Sequence, residues 1–220
     1  MHLNSDLLYK KYALSYFKDN DKVLEIGPDI IPSSLNTIVG NPLIEWHTLN
    51  LAVGEETSRA KNSQLTILSE NEYNYPIADN TYDIIVSANV MEHVKKFWLW
   101  FEELKRIVKP GGFIITMAPI SWPYHEAPVD CWRIYPDGIR ALYEDIGLTD
   151  VFSTFESLEY EMNKNAYTPL IPWATNINTR KANIINRYNK LLSLMPFTKI
   201  FKVPITVSYD LISIAQKSRD

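Results

Sequence analysis

Apolar residues along this chain recur in two rhythms, and the alternation between them predicts an α/β domain. Short apolar or β-favouring runs bounded by turn residues read as buried strands at Val23–Ile26, Ile44–Leu49, Leu65–Ser69, Tyr82–Ser87, Phe113–Met117, Asp150–Phe155 and Ile205–Ala215. Between them, apolar positions recur at three- and four-residue steps. Leu8, Tyr12 and Tyr16 follow a capping Ser5 and stop before Asp19-Asn20-Asp21. Phe97, Phe101, Leu104 and Val108 mark a second helix face, and Ile139, Leu142, Tyr143 and Ile146 a third. Pro136 suits the first turn of that third helix, and Gly147 ends it. Strands alternating with helices build a mostly parallel sheet covered on both faces.

The stretch at about 157–204 breaks this alternation, because a hairpin between the last two strands needs a few residues and the chain spends about fifty. Ile184, Ile185, Tyr188, Leu191, Leu192 and Met195 recur within it at helical spacing. The expectation is one domain over residues 1–220 with a helical insertion before the last strand. The apolar face of that helix packs on the domain or on a second copy of the chain; a substrate lid and a membrane-surface contact are the alternatives.

Composition narrows the setting. With 220 residues, 46% of them hydrophobic and 22% charged, the chain can bury a substantial core. A single Cys131, an amino terminus without a basic start or apolar run, and no charge-free window of about twenty residues predict a cytoplasmic protein without a transmembrane segment. The net charge is −4, but Met162 to Tyr209 contains seven Lys and Arg residues and no acid, so this segment is +7 and the remainder −11. An acidic body argues against nucleic acid as a partner; a local basic element is either a solvated helix face or a surface that meets an anionic small molecule, carrier or lipid head group.

Candidate chemistry starts at Val23-Leu24-Glu25-Ile26-Gly27-Pro28, a buried strand that ends near an acid and turns on a glycine. In open α/β sheets ligands bind outside the carboxyl ends of the strands where the strand order reverses, and the first strand flanks that crevice. Further along come the turn and strand Asp79-Asn80-Thr81-Tyr82-Asp83, then Met91-Glu92-His93-Val94 opening a helix, and Lys109-Pro110-Gly111-Gly112 closing it. In order and spacing, over roughly the first two-thirds of the chain, these pieces resemble the class I S-adenosylmethionine-dependent methyltransferases.

That resemblance implies a Rossmann-like seven-stranded sheet, S-adenosyl-L-methionine as cofactor, and methyl transfer to an oxygen or nitrogen of a small polar acceptor. It assigns Glu25, Gly27 and Pro28 to the loop around the methionine part, and Asn50 and Leu51, at the end of the second strand, to the ribose. Asn71 and Glu72 fall where the adenine is met, and Ala88, Asn89 and His93 follow the fourth strand on the same crevice. The chain departs from the family twice. Asn50 stands where an acid is usual, and Asp29 and Ile31 replace the second and third glycines of the loop. Asp29 either accepts a bond from the cofactor's ammonium group or caps the following turn.

The acceptor side begins after the fifth strand, where residues 119–133 combine aromatic, acidic and basic side chains in a proline-braced loop, a composition that suits a preformed polar pocket. Trp122, Tyr124, Asp130, Trp132 and Arg133 are its candidate substrate contacts. His125 is the first candidate for a general base and His93 the second, because imidazole titrates near neutrality. Arg133 either pairs with Asp130 to pin the loop or binds an anionic acceptor. Cys131 reads as a small buried apolar residue, and the scattered histidines give no metal-type spacing, so no metal site is expected. Similar loops occur in relatives acting on sugars, nucleotide-linked sugars and cell-surface glycan precursors, which makes these the leading acceptor class. A non-catalytic methyltransferase-like binding or scaffold subunit is the main rival, made conceivable by Asp29, Ile31 and Asn50; a nicotinamide-dependent oxidoreductase would need a G-x-G-x-x-G loop that the chain lacks.

Overall fold

The computed structural model describes residues 3–52, 67–126, 128–159, 184, 187–188, 190–192, 194 and 208–219. Its sheet runs β3-β2-β1-β4-β5-β7-β6. The strands are β1 (Lys22–Ile26), β2 (Glu45–Leu51), β3 (Ile67–Ser69), β4 (Tyr82–Ala88), β5 (Val108–Pro119), β6 (Leu148–Glu156) and β7 (Asp210–Lys217). The first five pair in parallel, and β7 lies antiparallel between β5 and β6. β1 has β2 on one side and β4 on the other, so the order reverses at β1 and a crevice opens beyond its carboxyl end.

Two apolar layers sandwich this sheet. Helices α1 (Leu3–Tyr12) and α2 (Ser34–Val39) lay Leu8, Tyr9 and Leu35 on Val23, Ile84, Val86, Ile115 and Ile212. The opposite layer is formed by α3 (Phe97–Ile107) and α4 (Pro136–Ile146), whose Trp100, Phe101, Leu104, Ile139 and Tyr143 cover Leu24, Ile26, Ile85 and Ile114. Alternate residues of each strand serve the two layers, which is why the central strands read as unbroken apolar runs.

Several boundaries differ from the sequence expectation. Ser5 lies inside α1, buried, and its hydroxyl donates to Asp210 at 3.1 Å; the helix also stops at Tyr12, before a separate 3₁₀ turn at Leu14–Tyr16. Met91–His93 is a single 3₁₀ turn, and α3 begins only at Phe97. Lys109-Pro110-Gly111-Gly112 belongs to the entry of β5. There a Cβ on Gly112 would stand 2.6 Å from the Asp83 carbonyl, while the Lys109 ammonium sits 2.7 Å from the Asp83 carboxylate. This motif therefore secures the amino-terminal ends of β4 and β5, away from the crevice.

Most of the predicted insertion at about 157–204 lies outside the described residues, as do the first residues of the predicted third and seventh strands. Within the insertion, Ile184, Tyr188 and Leu191 are helical and exposed. Among the described residues no helix is long and apolar enough to cross a membrane.

Candidate active site

Register brings the predicted cofactor residues to one edge. Ile26 is opposite Leu49 of β2 and Ser87 of β4, so Gly27, Asn50 and Ala88 lie side by side just beyond. Gly27 leaves β1 at φ +68°, a left-handed conformation that favours glycine, and its N–H donates to the Leu49 carbonyl at 2.9 Å. A Cβ there would lie 2.6 Å from Cγ2 of Val90. Pro28 continues the loop towards Ser33, the N-cap of α2.

Glu25 braces this loop from below and does not reach towards a ligand. It is 3% exposed, accepts the Ser33 hydroxyl, and accepts Trp46 Nε1 at 2.9 Å. Burial pushes its carboxyl up to about 7, against the lowering effect of those two donors. Asp29 resolves to the capping alternative. It accepts the Ser34 N–H at 3.1 Å, the Ser34 hydroxyl at 2.6 Å and the Ile30 N–H at 3.0 Å. Partial burial raises its pKa, but the Ser34 bonds outweigh that and hold it below the usual carboxylate value.

Further round the edge, Asn50 spends its side-chain oxygen on the Leu51 N–H at 2.9 Å, leaving its NH₂ group as the donor towards the crevice. Asn71 likewise accepts the Tyr73 N–H at 2.7 Å, so it shapes the turn after β3, next to Glu72. Asn89 follows Ala88 at φ +56°; its side-chain oxygen lies 3.4 Å from the Ser5 hydroxyl, and among the described residues its buried Nδ2 has no hydrogen-bond partner. Asp6, the residue after Ser5 in α1, also has a buried oxygen, Oδ1, without a hydrogen-bond partner among the described residues. Burial raises the Asp6 pKa, with Lys10 opposing and Asp29 adding to the shift. An orphaned donor and an orphaned acceptor therefore sit beside the Gly27 loop, where an amino acid's carboxylate and ammonium would complete them. Sequence periodicity marked α1 but gave no signal for Asp6.

On the acceptor side the loop 120–133 is held by one buried carboxylate. Asp130, its side chain 2% exposed, accepts two bonds from Arg133, at 2.5 and 2.7 Å, and the His125 N–H at 2.9 Å. Burial raises the Asp130 pKa, but Arg133 overcomes it and holds the group below its usual value. The Arg133 guanidinium also donates to the carbonyls of Trp132 and Trp122, at 2.8 and 3.3 Å. These two residues and the Trp122 backbone therefore pin the loop, the first of the two alternatives for Arg133. Trp132 donates Nε1 to the Val94 carbonyl at 3.0 Å and packs its ring on Phe97 and Trp98. Tyr124 is 72% exposed and bonds Glu126 at 2.7 Å, so it stands on the rim. Cys131 is exposed, contrary to expectation, because its N–H must reach the Glu92 carbonyl at 2.7 Å.

The expectation that the histidines are scattered fails in space. The rings of His93 and His125 meet edge to face with centroids 4.9 Å apart, and Glu92 lies beside them with its side chain fully buried. His93 Nδ1 bonds the Val129 carbonyl at 2.5 Å, which fixes the ring tautomer. Burial lowers its pKa, keeping the ring neutral. Among the described residues Glu92 has no hydrogen-bond partner on either oxygen, and burial pushes its carboxyl up to about 8. In sequence Glu92 stands out only as part of the helix-start motif; its adjacency to His93 after β4 is the signal that points to it.

Comparisons with known proteins agree with this architecture. Residues 46–116, from β2 into β5, match the methyltransferase domain family. An uncharacterized methyltransferase of Schizosaccharomyces pombe is 26% identical over 115 residues, 47% of this chain and 41% of that protein, so the match spans less than half the relative's length. A SAM dependent methyltransferase from Archaeoglobus fulgidus superposes with a TM-score of 0.60 at 16% identity, over 97% of this chain and 93% of that one. Phosphoethanolamine N-methyltransferase 2 of Haemonchus contortus, in complex with S-adenosyl-L-methionine, superposes with a TM-score of 0.56 at 13% identity, over 98% of this chain and 53% of that one.

Proposed function

We propose that this chain, which carries a class I S-adenosylmethionine-dependent methyltransferase domain, uses it to transfer a methyl group to an oxygen or nitrogen of a small polar acceptor. The observation that carries the reading is the pair of orphaned polar atoms beside the Gly27 loop. In this reading Asn89 Nδ2 meets the cofactor's carboxylate and Asp6 Oδ1 its ammonium; among the described residues neither atom has a hydrogen-bond partner. Gly27 and Pro28 give the methionine part bare backbone, the Asn50 amide group meets the ribose beside Leu51, and Asn71 and Glu72 border the adenine.

S-adenosyl-L-methionine supplies an electrophilic methyl on a sulfonium. The protein's task is to hold acceptor and donor in line and keep water away, so few side chains need to take part. Glu92, His93 and His125 form the polar patch beyond β4 and β5, where a hydroxyl acceptor would lose its proton. Trp122, Trp132 and Tyr124 supply an aromatic wall and rim suited to a sugar-like molecule, which keeps sugars, nucleotide-linked sugars and glycan precursors as the leading acceptor class. The exposed Arg187 and Lys190 support an anionic acceptor or carrier.

Calorimetry with S-adenosyl-L-methionine tests the cofactor assignment. Wild type should bind in the micromolar range. Asn89→Ala, which removes the Nδ2 donor, should weaken binding about tenfold, beside a small loss of stability from the Ser5 contact and from alanine at φ +56°. Gly27→Val should abolish binding, because valine at φ +68° is strained and meets Val90. Wild-type affinity in both variants would overturn the placement.

A further inference from the structure

We propose that Glu92, His93 and His125 form a binding site for one divalent first-row transition cation, whose open coordination position takes the acceptor's oxygen. The role given to the cation rests on the methyl-transfer reading; the site itself rests on geometry alone. Both Glu92 oxygens are buried and lack a hydrogen-bond donor, an arrangement that folded proteins rarely keep unless something absent completes it. The nearest polar atom of His93 cannot do so. Its Nδ1 holds the proton against the Val129 carbonyl, so Nε2 presents a lone pair to Glu92 Oε1 across 3.7 Å. At that separation the two groups make no direct hydrogen bond.

That separation is too long for a direct hydrogen bond and near the spacing of two ligands on one ion, about 3.4 Å for tetrahedral bonds of about 2.1 Å. His125 contributes the third donor. Its Nδ1 lies 3.2 Å from the Pro123 carbonyl and 3.3 Å from Asp130 Oδ2, which leaves Nε2 as its free lone pair. Ligand atoms of the three residues all fall within 4.8 Å of one another. Each imidazole thus has an outer carbonyl or carboxylate on one nitrogen, the arrangement that orients histidine ligands in metal centres. Two histidines and one carboxylate are the donor set of catalytic zinc sites and of facial iron sites, both of which keep positions open for substrate.

Glu92 and His93 follow β4 and His125 follows β5, so the cation would stand at the carboxyl edge of the sheet, on the crevice that the Gly27 loop borders. An acceptor hydroxyl bound to it becomes more acidic and releases its proton to solvent. The oxygen lone pair then forms the bond to the methyl carbon as the carbon–sulfur bond breaks, and that electron pair returns to sulfur, leaving a neutral thioether.

Titration of the metal-free full chain with Zn²⁺, followed by calorimetry, and with Co²⁺, followed by visible absorption, tests the site. One ion per chain should bind, and Co²⁺ should give the bands of a four- or five-coordinate nitrogen and oxygen environment. Glu92→Gln keeps the side-chain shape and His125→Ala alters a partly exposed loop residue. Each should weaken binding by about a hundredfold or more, given that losing even an outer partner costs ten- to a hundredfold. Substoichiometric Zn²⁺, or wild-type affinity in both variants, would overturn the proposal. Calorimetry with S-adenosyl-L-methionine on the same preparations separates the two readings. Cofactor binding without metal binding removes the site and leaves the methyltransferase, whereas metal binding without cofactor binding does the reverse.

Discussion

Asp130 and Arg133 meet through two hydrogen bonds, at 2.5 and 2.7 Å, and this pair sets the shape of the loop that carries His125. Breaking one member of a buried pair leaves the other unsatisfied, which typically costs about 3–5 kcal/mol, less here because Arg133 keeps 24% of its side-chain exposure. Asp130→Asn should therefore lower the melting temperature by several degrees and raise the acceptor Michaelis constant while leaving cofactor affinity unchanged. Thermal denaturation beside steady-state kinetics checks this. A variant that melts as wild type with unaltered kinetics would show that the pair does not hold the loop.

Glu25 makes stability depend on pH in the sense opposite to a salt-bridged carboxylate. Its neighbours are Ser33 from the N-cap of α2, Trp46 from β2, Tyr9 from α1 and Asp29 from the loop, and none is a cation. The folded value of about 7 lies above the ordinary 4.5, so the folded chain holds the proton more tightly than the unfolded chain. The contribution is complete below pH 4.5 and is lost as pH rises through 7, a change on the order of 3 kcal/mol. Glu25→Gln retains an oxygen for Ser33 and Trp46 and carries no charge. Its melting temperature should match wild type near pH 4.5 and exceed it by several degrees at pH 8. An equal difference at both values would refute this account.

Glycine positions show how much of the fold was legible in sequence. Strand and helix order follows from periodicity because both layers bury alternate residues of the same strands, and the Gly27 turn was readable because an apolar strand ended there. What sequence could not show is convergence. His93 and His125 are far apart in the chain and meet only because β4 and β5 are neighbours in the sheet. Glu92 read only as part of a helix start, whereas a single 3₁₀ turn folds it inward. For Arg133 the sequence left pairing with Asp130 and anion binding both open, because local pairing cannot be told from ligand binding without coordinates. Lys109-Pro110-Gly111-Gly112 was recognisable as a motif but gave no hint that it belongs to the far end of the sheet.

Two glycines should respond oppositely to alanine. A Cβ on Gly112 would lie 2.6 Å from the Asp83 carbonyl and 2.9 Å from the Lys109 carbonyl, backbone atoms that cannot turn aside. On Gly138, in the first turn of α4, the nearest contact is Ile134 Cγ2 at 3.4 Å, an ordinary distance. Gly112→Ala should destabilise by about 3 kcal/mol or fail to fold, as overpacking of a rigid site does. Gly138→Ala should stabilise by roughly 0.5–1 kcal/mol, through the lower entropy of its unfolded chain. Urea denaturation of the two variants measures both; a loss of stability in Gly138→Ala would mean that the first turn of α4 needs glycine for a reason beyond space.

His125 separates chemistry from cofactor binding. Its N–H and Nδ1 face Asp130 and Pro123, its ring edge faces His93, and none of these contacts touches the Gly27 loop. His125→Ala should therefore leave the affinity for S-adenosyl-L-methionine within about twofold of wild type. Turnover of a hydroxyl acceptor should fall by about a hundredfold or more, the usual size of a lost group in proton removal. His125→Gln restores a polar side chain but neither ligates a cation as imidazole does nor takes up a proton, so it should recover the loop's stability without recovering the rate. If the lost group acts on the acceptor's proton, the remaining activity should also rise with pH as hydroxide replaces it. A variant with normal turnover on a hydroxyl acceptor, and cofactor binding intact, would move proton removal away from this loop altogether.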